Sequence, residues 1–269
     1  MNQLESFFPH LSEFAHREIF DGIQQVWDPL RCLGESLSTI LAEKGKDAKE
    51  LMALEGAIQT SEKDPGARIL GAGVCVERWI EITSPIYLKM TRILIGPGTV
   101  LEPGAVIKGP AVIGANCEVR QGAYIRGNAL VGNHCIIGHN TEVKNSIIMN
   151  HSEAGHFNYI GDSIIGSYVN MGAGSRLANV QFRSLEEKKT GGINTIQIRI
   201  EGKTVDSGLS KFGAILGDSV EVGCNAVLCP GTLVGQNGWI YPNTTVPKGF
   251  YAPNTFIAPK DRKPKTQEK

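Results

Sequence analysis

"IGPGTVLEPGAVIKGPAVIGAN", residues 95–116, repeats a six-residue unit: an aliphatic, often a glycine, then turn formers. Aliphatic residues recur at Ile95, Leu101, Ile107, Ile113, Val119, Ile125, Val131, Ile137, Val143 and Met149, each six after the last. A second series runs Leu216, Val222, Leu228, Val234, Ile240 and Val246. Six is neither the helical period nor the plain alternation of a strand. Fixed hexads predict a parallel β-helix, in which short strands stack coil upon coil. Looser aliphatics at Val76, Ile82 and Leu88 predict an irregular first coil. The 32 glycines match the many tight turns such a fold needs.

Residues 1–66 read as a helical segment. Phe14, Ile19, Ile23, Val26 and Leu30 follow helical spacing, a second run covers "SLSTILAEKGKDAKELMALEGAI" (36–58), and Pro65-Gly66 ends it. Its expected role is a packing cap on the main domain, residues 67–257. Between the two hexad series lies "VQFRSLEEKKTGGINTIQIRIEGKTVDSGLSKFGA" (180–214), which lacks the repeat. Inside it "TIQIRIEGKTV" alternates around Glu201-Gly202, which predicts a hairpin in an inserted loop, residues 181–212. Two roles stand open: a hairpin projecting from one coil, or a lid over a neighbouring subunit's site. The polar stretch 258–269 reads as a flexible tail.

Lys plus Arg equals Asp plus Glu, 27 each, so nucleic acid is not the expected partner. No apolar stretch approaches the roughly 20 residues that span a bilayer, and the N-terminus lacks the pattern of a signal peptide, so neither a membrane nor export is expected. Six scattered cysteines without a C-x-x-C fit reduced thiols in a cytoplasmic protein.

The hexads resemble those of hexapeptide-repeat acyltransferases. That resemblance implies a mainly β fold, a left-handed parallel β-helix with three hexads, 18 residues, to each triangular coil. Glycine commonly follows the buried aliphatic, but at Lys108, Arg126 and Lys144 a cation stands there, each 18 residues from the next. Stacked strands lie about 4.8 Å apart, so the three cations share a column. Either they fan into water, or Arg126 and Lys144 converge on a phosphate, the group that an arginine fork and a lysine charge suit.

"SEAGHFNYIGD" (152–162) places His156 where the hexad phase breaks, since Met149 to Ile160 is eleven residues. A glycine precedes His156, and Tyr159 and Asn170 are near in sequence. An imidazole near its normal pKa can take a proton from an amine nucleophile. "AGHFNYIGDSIIGSYVNMGAG" (154–174) is similar to the acetyltransferase half of bifunctional N-acetylglucosamine-1-phosphate uridyltransferase/glucosamine-1-phosphate acetyltransferases, whose motif reads A-G-H-x-x-Y-x-G-D and then N-[IM]-G-A-G. The resemblance implies that His156 is the catalytic base and that Arg126, Lys144, Tyr159 and Asn170 bind the sugar phosphate. It further implies acetyl-CoA as co-substrate, held near Ala173, Asn179 and Cys224. An oxyanion donor near Ala173, no metal requirement, a homotrimer with sites between subunits and a place in nucleotide-sugar and cell-wall biosynthesis are implied as well. The family continues into T-x-N-Y-D-G; here "SRLANVQF" keeps Asn179 and has Val180 in place of the tyrosine. "EGKTVDSGLSKFGAILGDSVEVG" (201–223) looks more like the C-terminal domain of archaeal-type sugar-1-phosphate nucleotidylyltransferases that also acetylate.

Both groups carry a nucleotidyltransferase domain opening on L-A-A-G-x-G-T-R. "ILGAGVCVERW" (69–79) lacks that arginine, so uridyltransferase activity is not expected. The expected activity is N-acetyl transfer to an amino-sugar phosphate or nucleotide-linked amino sugar. The alternatives are an acyl-carrier-protein-dependent acyltransferase of lipid A type and a non-catalytic sugar-nucleotide-binding protein. A zinc enzyme is a further class, since His134 and His139 are five apart, as are His151 and His156; no histidine between His16 and His134 supplies the third ligand.

Overall fold

The computed structural model describes residues 3–51, 67–71 and 73–259. Three stacked sheets of ten, nine and nine strands form the sides of a triangular prism, and a two-stranded hairpin makes a fourth sheet. One coil runs through Ala111–Ile113 in the first sheet, Glu118–Val119 in the second and Tyr124–Ile125 in the third. Each strand pairs in parallel with its counterpart a coil away, as Val119 does with Leu101 and Ile137. The fold is mainly β, a left-handed parallel β-helix.

The hexad aliphatics from Ile95 to Val143 all line the interior. Met149 does not belong to that series. Ile148 is the register partner of Val131 and points inside, while Met149 joins a separate apolar cluster. The coil has lost its residue at Asn145, between Val143 and Ile148, and loses another at the next corner, between Ile160 and Ile165. The phase break therefore lies at the corners between third and first sheets, not at His156. Asn145 and Asp162 make these tight corners with φ of 47° and 49°, a conformation that Asn and Asp tolerate better than most side chains.

The first coil is irregular in direction rather than in burial. Val76, Ile82 and Leu88 are buried. Yet Gly73–Val76, Ile80–Glu81 and Ile86–Leu88 all pair antiparallel with the first parallel coil. This reversed turn covers sheet edges that would otherwise present unpaired N–H and C=O groups.

The first sheet is apolar on both faces. Its outward side chains Leu94, Val112, Leu130, Ile147, Ile164 and Leu233 pack under the N-terminal segment, which contributes Phe7, Phe14, Trp27, Leu33 and Leu37. The helix Pro29–Lys44 starts with proline in its first turn and buries Leu30, Leu33, Leu37, Ile40 and Leu41 along one stripe. The packing-cap expectation matches this arrangement, but the helical reading holds only in part. Around Gln3–Phe7 and two 3-10 turns the chain is irregular, and Lys49–Leu51 is a strand paired with Ile86–Leu88. A Cβ at Gly45 would meet the Leu41 carbonyl and the Tyr87 ring, so the chain exits the helix at a crowded point. Pro65-Gly66 and most of the tail lie outside the described residues. No described helix is long and apolar enough to cross a membrane.

The inserted residues leave the prism after Arg176–Leu177, again at a corner between third and first sheets, and return at Ala214–Leu216. Gln197–Ile200 and Lys203–Asp206 form the expected hairpin around Glu201-Gly202. It lies against its own chain: Ile196 and Ile198 are buried in the cluster that holds Trp27, whose indole N–H donates to the Ser207 carbonyl at 3.2 Å.

Candidate active site

The register sorts the sequence-predicted residues into two groups at opposite edges of the third sheet. The first group lies at the corner between second and third sheets. His156 ends the strand Glu153–His156, two residues past Ala154. Ala154 aligns with Met171, and Met171 with Val222, so Ala173 and Cys224 follow His156 in the same column, one coil apiece. The turn around His156 is pinned by its backbone. Its N–H donates to Asn158 Oδ1 at 3.1 Å, and its carbonyl accepts from Gly174 at 2.9 Å. The imidazole is exposed and makes no hydrogen bond among the described residues. The Ala173 carbonyl accepts from Asn225 at 2.9 Å, but the Ala173 N–H has no acceptor among the described residues. A free imidazole and a free N–H therefore occupy successive coils of one corner.

The second group lies at the corner between third and first sheets. Arg126 pairs with Glu142 at 2.5 Å, and Lys144 with Asp162 at 3.3 Å. Asp162 is buried; its other oxygen accepts from Asn145 Nδ2 at 2.8 Å, and the Asn179 amide donates to the same oxygen as Lys144. The cations of the column are thus not bare. The Lys108 ammonium lies 5.3 Å from the centre of the Tyr124 ring, which the Arg126 guanidinium also approaches, at 5.9 Å. A cleft of about 400 Å³ opens between Arg126, Lys144, Asn145, Asp162 and the Gly109-Pro110 turn. The hydrogen bond and charge of Glu142 push the Arg126 guanidinium further toward the charged form.

Tyr159 connects the two groups. Its backbone is three residues past His156, and its hydroxyl lies beside Gly161 and Asn179 at the far edge. Burial first, then the charges of Glu142 and Asp162, raise its pKa, so the hydroxyl stays a donor. Asn170 stands on the second sheet, exposed, donating to Glu221 at 2.9 Å. Asn179 belongs with the cation corner, and the structure does not bring it to Ala173 and Cys224. Those two lie toward an apolar cleft of about 660 Å³ on the second sheet, which Cys224 itself lines.

Glu142, Asp162 and Asn145 were not singled out from sequence. Their partners lie sixteen to eighteen residues away, and that separation carries meaning only once coil length is known. As for a metal, no group of three His, Cys, Asp or Glu side chains is placed to hold one among the described residues. His134 and His151 instead stack face to face, centroids 4.7 Å apart, with Tyr168 next in the pile.

Residues 107–228 match the family described as the GMPPB C-terminal domain. A bifunctional sugar-1-phosphate nucleotidylyltransferase/acetyltransferase of Sulfurisphaera tokodaii is 39% identical over 110 residues, 41% of this chain and 25% of that protein. The bifunctional protein GlmU of Methanocaldococcus jannaschii is 35% identical over 125 residues, 46% of this chain and 28% of that protein. The chain therefore spans only about a quarter of the length of these curated relatives. Among solved structures, the polysialic acid O-acetyltransferase OatWY aligns at 17% identity and a TM-score of 0.25, over 62% of this chain and 80% of that one. The hexad region of the chain resembles the corresponding part of the sugar-1-phosphate enzymes.

Proposed function

We propose that this chain is an N-acetyltransferase that moves acetyl from acetyl-CoA to the amine of an amino sugar bearing phosphate or nucleotide, as a cytoplasmic homotrimer. The observation that carries the reading is the corner column, where the backbones of His156, with its free imidazole, and Ala173, with its free N–H, stand one coil, about 4.8 Å, apart along the axis. The amine attacks the thioester carbonyl, and His156 takes the proton that the nitrogen sheds. The Ala173 N–H faces the oxygen on which negative charge gathers, where a preset donor is worth most. The C–S bond then breaks, and the coenzyme thiolate takes up a proton.

Arg126 and Lys144 bind the phosphate in this reading. Exposed ion pairs such as Arg126–Glu142 contribute at most about 1 kcal/mol, so a phosphate can displace the carboxylate. Tyr159 spans from base to cations and positions the sugar between them, with Asn170 at its flank. Ala173 and Cys224 take the acyl donor. Asn179 serves the sugar side, by holding Asp162 and Tyr159, rather than the coenzyme. The names of the sugar-1-phosphate relatives support the substrate class.

The test is turnover by the purified chain with acetyl-CoA and a panel of amino-sugar phosphates, read by thiol release. Release that requires glucosamine-1-phosphate or a related amine supports the reading. A chain that binds these sugars and releases no thiol contradicts it.

A further inference from the structure

The outer face of the third sheet lies between the His156 corner and the Arg126–Lys144 corner. Ile160 and Leu177 point into the prism, so Tyr159 and Arg176, one residue before each on successive strands, point out. Arg176 is exposed and has no part in the chemistry proposed so far.

Its charge is unanswered by the protein. Arg126 and Lys144 each meet a carboxylate, Glu142 and Asp162. Arg176 meets none among the described residues. Its register neighbours are Tyr159 on one side and Val227 on the other, and neither supplies a negative charge. The side chain is nevertheless held. Its Nη1 donates to the Gly174 carbonyl at 2.6 Å, while the Gly174 N–H donates to the His156 carbonyl at 2.9 Å. One peptide group therefore ties the guanidinium to the corner that carries the base. That bond uses one of five N–H donors and leaves the rest of the fork for an oxyanion.

The phosphate assigned to Arg126 and Lys144 is not that oxyanion. Lys144 is the register partner of Gly161, and Arg176 stands one strand beyond Tyr159. Their backbones are thus two strand spacings, about 10 Å, apart along the axis. Asp162 holds Lys144 and Gly174 holds Arg176, so one phosphate touches both only by breaking a bond. Between them lies the strand Tyr159–Gly161. A Cβ at Gly161 would meet the Tyr159 hydroxyl at 2.6 Å, so the tyrosine ring leans across its own strand. Beside Arg176, Ala178 adds only a methyl group. A sugar laid over Tyr159 has Lys144 at one edge and Arg176 at the other.

We propose that Arg176 binds a second oxyanion of the substrate, a carboxylate or a phosphate on the edge of the amino sugar away from the first phosphate. The preferred acceptor is then a doubly anionic amino sugar. The inference rests on the acetyltransferase reading for the placing of the sugar over Tyr159.

Calorimetric titration of the full chain without acetyl-CoA tests it, with four probes. Glucosamine-1-phosphate carries one anionic group. Glucosamine-1,6-bisphosphate and the 1-phosphate of glucosaminuronic acid add a phosphate or a carboxylate at carbon 6. UDP-glucosamine places its second phosphate next to the first. One of the two probes substituted at carbon 6 is expected to bind roughly tenfold or more tightly than glucosamine-1-phosphate, and which one does tells phosphate from carboxylate. Arg176→Gln, at an exposed position, is expected to bring that ratio close to one. Arg176→Lys is expected to restore only part of it, because an ammonium lacks the fork. Equal affinities in the natural chain, or a ratio that survives Arg176→Gln, would overturn the assignment. So would an advantage confined to UDP-glucosamine and lost in Arg176→Gln, which would put a diphosphate at Arg176. Thiol release from acetyl-CoA with the same sugars separates two failures. An Arg176-dependent ratio without release overturns the acetyltransferase reading alone; release without the ratio overturns the second oxyanion alone.

Discussion

Lys144 lies 3.3 Å from Asp162, one coil further on, whose carboxylate also takes the Asn145 and Asn179 amides. One buried carboxylate thus holds three side chains of the cation corner, at the point where the coil is one residue short. Asp162→Ala leaves all three without their acceptor and keeps a positive φ that alanine disfavours. The expected loss of stability is about 3 kcal/mol, the low end for a broken buried pair because Lys144 stays partly exposed. Chemical denaturation checks it. Asp162→Asn, which keeps the shape, is expected to cost less.

The cation column sorts its own members. Arg126→Ala and Lys144→Ala are expected to weaken sugar-phosphate binding strongly, since each removes a charge-assisted hydrogen bond of roughly 1.5–3 kcal/mol. Lys108→Ala is expected to cost little, because the cleft is lined by Arg126 and Lys144 and not by Lys108. Glu142→Gln removes the internal competitor of the phosphate and is expected to tighten inhibition by inorganic phosphate. Titration of phosphate against turnover in the four variants reads all of this; equal losses in the three cation variants would point to a diffuse basic surface.

The interior was legible in the sequence wherever the spacing of six held, even beside apolar neighbours as at Ile93–Ile95 and Ala111–Ile113. At "SIIM", residues 146–149, three neighbouring apolar residues are all buried, Ile148 in the prism and Ile147 and Met149 in the outer cluster, so spacing alone does not choose the register. The direction of the first coil was hidden for a similar reason. Val76, Ile82 and Leu88 keep the hexad spacing whether their strands run parallel or antiparallel. The site was legible as residue types but not as a grouping: Asn179 reads as a neighbour of Ala173 along the chain, yet the corner at Leu177 carries it to the opposite edge of the third sheet.

The N-terminal segment gives the protein a pH dependence. Burial, with the Lys44 charge adding to it, lowers the pKa of His16 from 6.5 to about 4. The unfolded chain therefore binds a proton at His16 that the folded chain refuses. Its contribution to stability is present in full above pH 6.5 and is lost as the pH falls from 6.5 toward 4, by roughly 3 kcal/mol in total. Denaturant midpoints measured across that range check it. His16→Gln is expected to flatten the dependence, and an equally steep fall in that variant would assign the loss to other groups.

The most direct measurement is single-variant turnover at His156. His156→Ala leaves the turn intact, since the bonds that hold it run through the backbone and Asn158. The account predicts that kcat for acetyl transfer falls by roughly 10²–10⁴, with unchanged unfolding midpoint and unchanged sugar-phosphate affinity. Full turnover in a variant of normal stability would contradict it.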